Sequence, residues 1–288
     1  MSFSAATTTL FEPWLQYQHP LVRQLAFCIA SPNILQQLPH ELTVVHNFQL
    51  HPDPVWQQHW KNYHPRLVAL DQNPEELQLF LQKLKSTRLG LRFEMFIWFW
   101  LLDQDYHSYQ LLGHSIQKIE GPRTLGELDF VLLNTETHEV EHWEVALKYY
   151  LAERDFSLPY WYGLNRSDTL SRKLNHFSQK QFQFDEALGQ HIQRRYCVLK
   201  GQLYLPLNTS ETLPTWVNPQ RRIGQWGQQI APQDQNFYRL QRHEWICPQH
   251  AQSSEIAQWW TDGLYKHIDQ ESYYMYRLPR LILPQDGT

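Results

Sequence analysis

Asp129, Glu144 and Lys148 are the residues of this chain whose types and spacing could do chemistry. They lie in two segments that alternate with period two, TLGELDFVLL at 124–133 and VEHWEVALKYY at 140–150, joined by the short polar loop NTETHE. Antiparallel partners keep a constant index sum, so if 133 faces 140, then 129 faces 144. The Cβ atoms of Asp129 and Glu144 would then lie about 4.5–5.5 Å apart. One face of this hairpin takes Leu128, Phe130 and Leu132, with Glu141, Trp143, Val145, Leu147, Tyr149 and Leu151, and reads as a core face. The other takes Glu127 and Asp129, with Glu144, Ala146 and Lys148. Directly opposed like charges cost a sheet ~0.2–1 kcal/mol. A solvated face would tolerate them, but helices expected at 91–102 and 168–184 need a sheet to cover. Covered sheets rarely keep carboxylates without a ligand. A divalent cation removes the repulsion. Two close carboxylates, a backbone carbonyl and waters are the oxygen ligands that Mg²⁺ prefers.

The elements around the hairpin must position these groups. HPLVRQLAFCIA and NPEELQLFLQKLKS read as helices in a helical N-terminal region, residues 1–87. The second has Asn73 as N-cap and Pro74 at its first position. Residues 91–102 continue as a very apolar helix. YQLLGHSIQKI, TLGELDFVLL and HEVEHWEVALKYYL read as three strands. SDTLSRKLNHFSQKQF is a helix capped by Ser167 or Asp168, and RRYCVLKGQLYLPL is a strand. Residues 211–235 read as a loop, NFYRLQRHEWICP as a strand, SSEIAQWWTDGLYKHI as a helix, and SYYMYRLPRLILP as extended chain broken by Pro279. The fold class is α/β. No composition shift divides the 288 residues, so they read as one domain with a core at 88–205 and a C-terminal extension at 206–288.

Glu94 stands in LRFEMFIWFWLL, where a carboxylate is costly unless paired, with Arg92 or Arg88 as candidate partners. Lys173, His176 and Lys180 recur at helical spacing beside a core stripe of Leu170, Leu174 and Phe177. Such a row suits a polyanion or a solvated helix face equally. Lys200, Arg221 and Arg222 are further basic candidates. The net charge of −4 provides no global basic footprint, so a nucleic-acid partner needs a local patch. Aromatic residues make up 14%, including 12 Trp, and either anchor a core or stack on bases. Cys28, Cys197 and Cys247 form no CxxC pair and fit a reducing cytosol. His138 and His142 are four apart in a turn-and-strand setting, which does not favour a histidine metal site. The N-terminus does not read as a secretory signal. The apolar run at 95–102 is far below the ~20 residues that span a bilayer. A cytoplasmic protein with no membrane partner is expected.

The order helix, three-stranded meander, helix, strand, with Asp on the second strand and Glu and Lys on the third, resembles the PD-(D/E)XK (restriction-endonuclease-like) nuclease superfamily. LGELDFVLL, HWEVALKYYL and VLKGQLYLP also resemble an uncharacterised bacterial family of unknown function within that group. The resemblance implies metal-dependent phosphodiester hydrolysis on DNA or RNA, with Mg²⁺ or Mn²⁺ held by Asp129 and Glu144. Glu94, on the first helix, and Glu127 would be further ligands, and Lys148 would orient the attacking water. One departure stands out: the superfamily spaces acid and lysine two apart, but position 146 is Ala and Glu144 is four before Lys148. That stretches the pair over about 13–14 Å of strand. The alternative is a nuclease-like scaffold that binds nucleic acid or a partner protein without cleaving it.

Overall fold

The period-two segments form the long strands of a mixed sheet. The computed structural model describes residues 10–231, 236–256, 259 and 262–277. Four helices come first: α1 (Pro20–Ala30), α2 (Asp53–Gln72), α3 (Glu75–Leu81) and α4 (Leu89–Leu102). The meander β1 (Tyr109–Glu120), β2 (Arg123–Asn134) and β3 (Glu139–Ala152) follows, then the short β4 (Trp161–Tyr162) and α5 (Leu170–Gln179). After β5 (Glu186–Ala187) and β6 (Gln190–His191) come β7 (Arg194–Pro206), β8 (Gly224–Gly227), β9 (Phe237–Arg239), β10 (Gly263–His267) and β11 (Tyr273–Tyr276).

Among the described residues the main sheet runs β1-β2-β3-β7-β8-β11-β10-β9, with β4 beside β3. The meander is antiparallel. The crossover through α5 makes β7 parallel to β3, from Glu141↔Arg194 to Leu151↔Tyr204. β8 and β11 continue in parallel, and β10 and β9 close the far edge antiparallel. This is a mixed α/β architecture. The C-terminal residues extend the same sheet.

The two faces are covered differently. α1, α2 and α4 bury Phe130, Leu132, Trp143 and Leu147 on one side. On the other side α5 packs Leu170, Leu174 and Phe177 against Ala146, Tyr150 and Leu199. Its cap is Thr169, whose Oγ1 accepts the Arg172 N–H at 3.1 Å, one or two residues beyond the expected Ser167 or Asp168. Thr169→Ala is expected to cost about 1 kcal/mol in urea unfolding, the usual value of an N-cap side chain.

The structure departs from expectation in several places, and the expected loop over 211–235 holds strand β8. The longest helix, α2, falls in a stretch with Pro52, Pro54 and Pro65. Pro54 sits in the first turn, where no N–H is needed. Pro65 sacrifices one interior bond, and burial of Trp56, His59, Tyr63, Leu67 and Leu70 along one stripe outweighs it. The helix expected over 253–268 contains strand β10 instead, because Tyr265 pairs with both β11 and β9 and is fully buried. Residues 257, 258, 260 and 261 of that segment lie outside the described residues, as do 232–235 of the expected loop and 278–288, including the expected break at Pro279. Finally, α3 starts at Glu75 rather than at Pro74, although the Asn73 Oδ1 still accepts the Glu75 N–H at 3.3 Å.

Two local features matter below. Gly201 pairs with Lys148 at φ +123, and a Cβ there would sit 1.8 Å from the Lys148 carbonyl oxygen. Arg23, buried on α1, donates to the carbonyls of Leu15 (2.7 Å), Tyr17 (3.1 Å) and Pro248 (2.9 Å). Among the described residues no helix is long and apolar enough to cross a membrane.

Candidate metal centre

The ladder between β2 and β3 runs in the expected register, Leu133 facing Val140, and its last pair is Phe130↔Trp143. Beyond it β2 pairs with β1 alone. At the parting point side chains take over from the backbone. The Asp129 Oδ2 accepts the Val145 N–H at 2.8 Å, and the Asp129 N–H points to the Glu144 Oε1 at 3.4 Å. The two acids are therefore brought together as the index sum requires. Ser115, across from Asp129 on β1, has φ +49 and breaks the pleat there. Leu128, expected beside Phe130 in the core, packs instead with Val131 and Val140.

Glu144 is completely buried. His142 Nε2 lies 2.7 Å from its Oε1, and the Gln181 amide donates to its Oε2. Burial pushes the Asp129 carboxyl up to about 8, with the neighbouring Glu144 charge as the second cause. Burial also raises Glu144, although Lys173 opposes the rise. His142 is pushed down to about 3 by burial. It is therefore neutral, with one ring nitrogen to donate and one to accept. Its Nδ1 has no partner among the described residues.

The two lysines have different surroundings. Lys148 emerges on the α5 side, as the alternation requires, but its Nζ is ion-paired to Asp168 Oδ2 at 2.7 Å. Lys173 does not belong to an outward basic row. It turns inward, its Nζ donates to the Gln181 Oε1 at 3.1 Å, and its charge acts on both Asp129 and Glu144. Burial lowers its pKa while Glu144 holds it up. Gln181 thus links the cation to the acid. His176 and Lys180 are exposed. His176 is lowered first by partial burial, then by Lys173, Lys180 and Arg172. Ser167, Asp168, Arg172, Lys173 and His176 line a cavity of about 360 Å³ at the start of α5.

Glu94 does not pair with Arg92 or Arg88. Arg92 bonds Gln24 instead, and Glu94 reaches β1, with Oε1 2.8 Å from His114 Nε2 and 3.3 Å from the Ser115 hydroxyl. Its charge contributes to the rise of Asp129. Glu127 is exposed and touches the site only through its charge, which raises Glu144. Lys200, Arg221 and Arg222 are structural. Lys200 donates to the Ser31 carbonyl under the Trp56 ring, Arg221 to the Gly201 carbonyl, and Arg222 to Glu12. Sequence reasoning did not single out Gln181, the pairing of Asp168 with Lys148 or the contact of His142 with Glu144. Only His142 left a signal, by standing two residues before Glu144 on an alternating strand.

Among the described residues no three His, Cys, Asp or Glu side chains form a group that could hold a metal. A two-carboxylate site remains, and Mg²⁺ usually binds through one or two carboxylates while keeping several waters. The Asp129 side chain also hydrogen-bonds the Glu144 carboxyl, so the two acids are in direct contact. Two adjacent acids held up toward neutral pH are what such an ion would relieve. Mg²⁺ or Mn²⁺, if bound here, would be held through Asp129 and Glu144. No curated protein matches the chain, and no solved structure matches it. The family described as a domain of unknown function, DUF1853, matches residues 23–279. That span covers most of the 288 residues, so the chain belongs to the DUF1853 family.

Proposed function

We propose that the protein is a metal-dependent nuclease with a restriction-endonuclease-like core, hydrolysing phosphodiester bonds of DNA or RNA. The observation that carries this reading is the Asp129–Glu144 pair at the point where β2 leaves β3, with Lys173 turned onto it. Mg²⁺ or Mn²⁺, when bound, supplies a water of lowered pKa and a polarised phosphoryl oxygen. Asp129 and Glu144 hold that charge in place. His142 and Gln181 fix the Glu144 carboxylate in one orientation. Lys173 offers positive charge where a phosphate would acquire negative charge. Glu94 adds acidity from the β1 side. Arg172 and Lys180, both exposed, give this part of the surface a local basic character in an otherwise acidic chain.

A second reading, a nuclease-like scaffold that binds without cleaving, draws on two observations. Both oxygens of Glu144 already accept hydrogen bonds, and Lys148 is committed to Asp168. Labelled single- and double-stranded DNA and RNA, incubated with the protein in Mg²⁺, Mn²⁺ or chelator, separate the two. Cleavage that requires the metal is expected. Asp129→Asn and Lys173→Met should each slow it at least about a hundredfold, the effect of removing one transition-state donor. Lys148→Met should slow it less. Binding without cleavage by wild type supports the scaffold, and neither binding nor cleavage defeats both readings.

A further inference from the structure

The cavity at the start of α5, of about 360 Å³, has a lining whose donors the metal centre leaves unused. Ser167, Arg172 and His176 line it and are exposed, so a ligand can reach them from solvent. Asp168 and Lys173 complete the described lining and are half-buried. His176 stands four residues after Arg172 and three after Lys173, so the three share one side of the helix.

These donors are largely uncommitted. Among the described residues the Arg172 guanidinium makes one hydrogen bond, from Nη1 to the Ser167 carbonyl at 3.1 Å, which leaves most of its five N–H donors free. The Ser167 hydroxyl and the His176 ring make none with the described residues. Partial burial and the charges of Lys173, Lys180 and Arg172 lower the His176 imidazole, so at neutral pH it offers one N–H without a charge. Asp168 would oppose an anion, but its carboxylate is already answered. Lys148 Nζ donates to its Oδ2 at 2.7 Å and the Tyr150 hydroxyl to its Oδ1 at 3.4 Å. Lys148, Arg172 and Lys173 thus stand against one acid.

Other cavities lack this balance. One beside α3 and α4 sets Glu76 and Asp103 against Lys83, and one near the start of β3 has Glu136 and Glu141 with no lysine or arginine among its described residues. The donor set also selects among anions. A phosphate diester carries a single charge, whereas a monoester carries about −1.5 to −2 near pH 7 on three strong acceptor oxygens. Two lining cations and two neutral donors match the monoester, and the guanidinium fork suits two of its oxygens at once. The volume lies at the lower end of small-molecule sites, ~300–1,000 Å³, and leaves room for the sugar that bears the phosphate.

We propose that this cavity binds a phosphate monoester, borne by a small molecule or by the end of a nucleic-acid strand. The site goes beyond the nuclease reading and does not depend on it. Isothermal titration of the full chain in chelator, where no metal can bridge a phosphate to Asp129 and Glu144, tests it. The probes are ribose 5-phosphate, adenosine 5′-monophosphate, adenosine, the cyclic diester of adenosine, and one oligonucleotide with and without a 5′-phosphate. At least one monoester should bind, and its counterpart without the monoester at least tenfold more weakly. Tighter binding of the phosphorylated oligonucleotide than of the small monoesters assigns the strand end, and the reverse assigns a small molecule. Arg172→Gln, at an exposed position, should weaken the bound monoester at least about tenfold, the scale of a hydrogen bond to a charged group. Arg194→Gln, at an exposed arginine of β7 outside the cavity, should leave it unchanged. The proposal is overturned if no monoester binds at millimolar concentration, if the diester binds as tightly, or if the two arginine variants bind alike. Metal-dependent cleavage is read separately, so neither result decides the other.

Discussion

In chelator, wild-type protein is expected to lose on the order of 3 kcal/mol of stability between about pH 5 and pH 8, and Asp129→Asn clearly less. The cause is the buried carboxylate pair. Asp129 is raised from 3.8 to about 8, and burial raises Glu144 as well. An acid whose folded pKa is raised binds its proton more tightly in the folded state. Its contribution is fully present below the unfolded value, near 4, and is lost as pH rises to the folded value, near 8. Each pH unit between the unfolded and folded values corresponds to ~1.4 kcal/mol. The partial solvent access of Asp129 and the mutual dependence of the two acids reduce the sum to that order. The asparagine amide oxygen can still accept the Val145 N–H, so the variant removes charge with little change of shape. At pH 8 in chelator it should be the more stable protein. Mg²⁺ or Mn²⁺ at a hundredfold excess over Kd should return about 2.7 kcal/mol to wild type and little to the variant. Urea unfolding at the two pH values, with and without metal, reads all of this. A flat profile in wild type, with no stabilisation by metal, would remove the pair from any metal chemistry.

Gly201→Ala is expected to cost at least about 4 kcal/mol, or to prevent folding. The φ of +123 belongs to a region that L residues avoid, which alone costs ~1–3 kcal/mol. A methyl group would also sit 1.8 Å from the Lys148 carbonyl oxygen, a backbone atom of the neighbouring strand that cannot swing aside. Relief requires β7 to move away from β3 beside Lys148, and losses of this size have few other causes. Gly90→Ala is the control. Gly90 lies on α4, and nothing stands within 4 Å of the place its Cβ would take, so alanine there should be neutral or stabilising by up to ~1 kcal/mol. Equal stability of the two variants in urea would contradict the close approach of β3 and β7.

The meander and its register were legible because strict alternation and a short polar loop leave few pairings. From them follow the contact of Asp129 with Glu144 and the emergence of Lys148 on the α5 side. Glu94 was legible as an anomaly, a carboxylate in an apolar helix, although its partners on β1 were not. The rest depends on distant parts of the chain. Lys148 meets Asp168, and Glu144 meets Gln181, through the fold of the crossover. Lys173 looked like one member of a surface row because helical spacing cannot tell which side of a stripe meets the sheet edge. The prolines hid α2, and the aromatic residues around β10 resembled a helical face until their ladder partners were known.

The three hydrogen bonds of Arg23 also bear on how the chain is made. This buried guanidinium on α1 is satisfied partly by the carbonyl of Pro248, 225 residues further along. A ribosome adds roughly 5–20 residues per second, so the helix waits on the order of 10–45 s for that acceptor. Glu12 waits similarly for Arg222. Throughout that interval the Arg23 Nε–H depends on water, although Leu15 and Tyr17 already offer their carbonyls and α2 and α4 are already there for α1 to pack against. A nascent chain stalled before Pro248 therefore lacks one buried hydrogen bond rather than the packing of the helix.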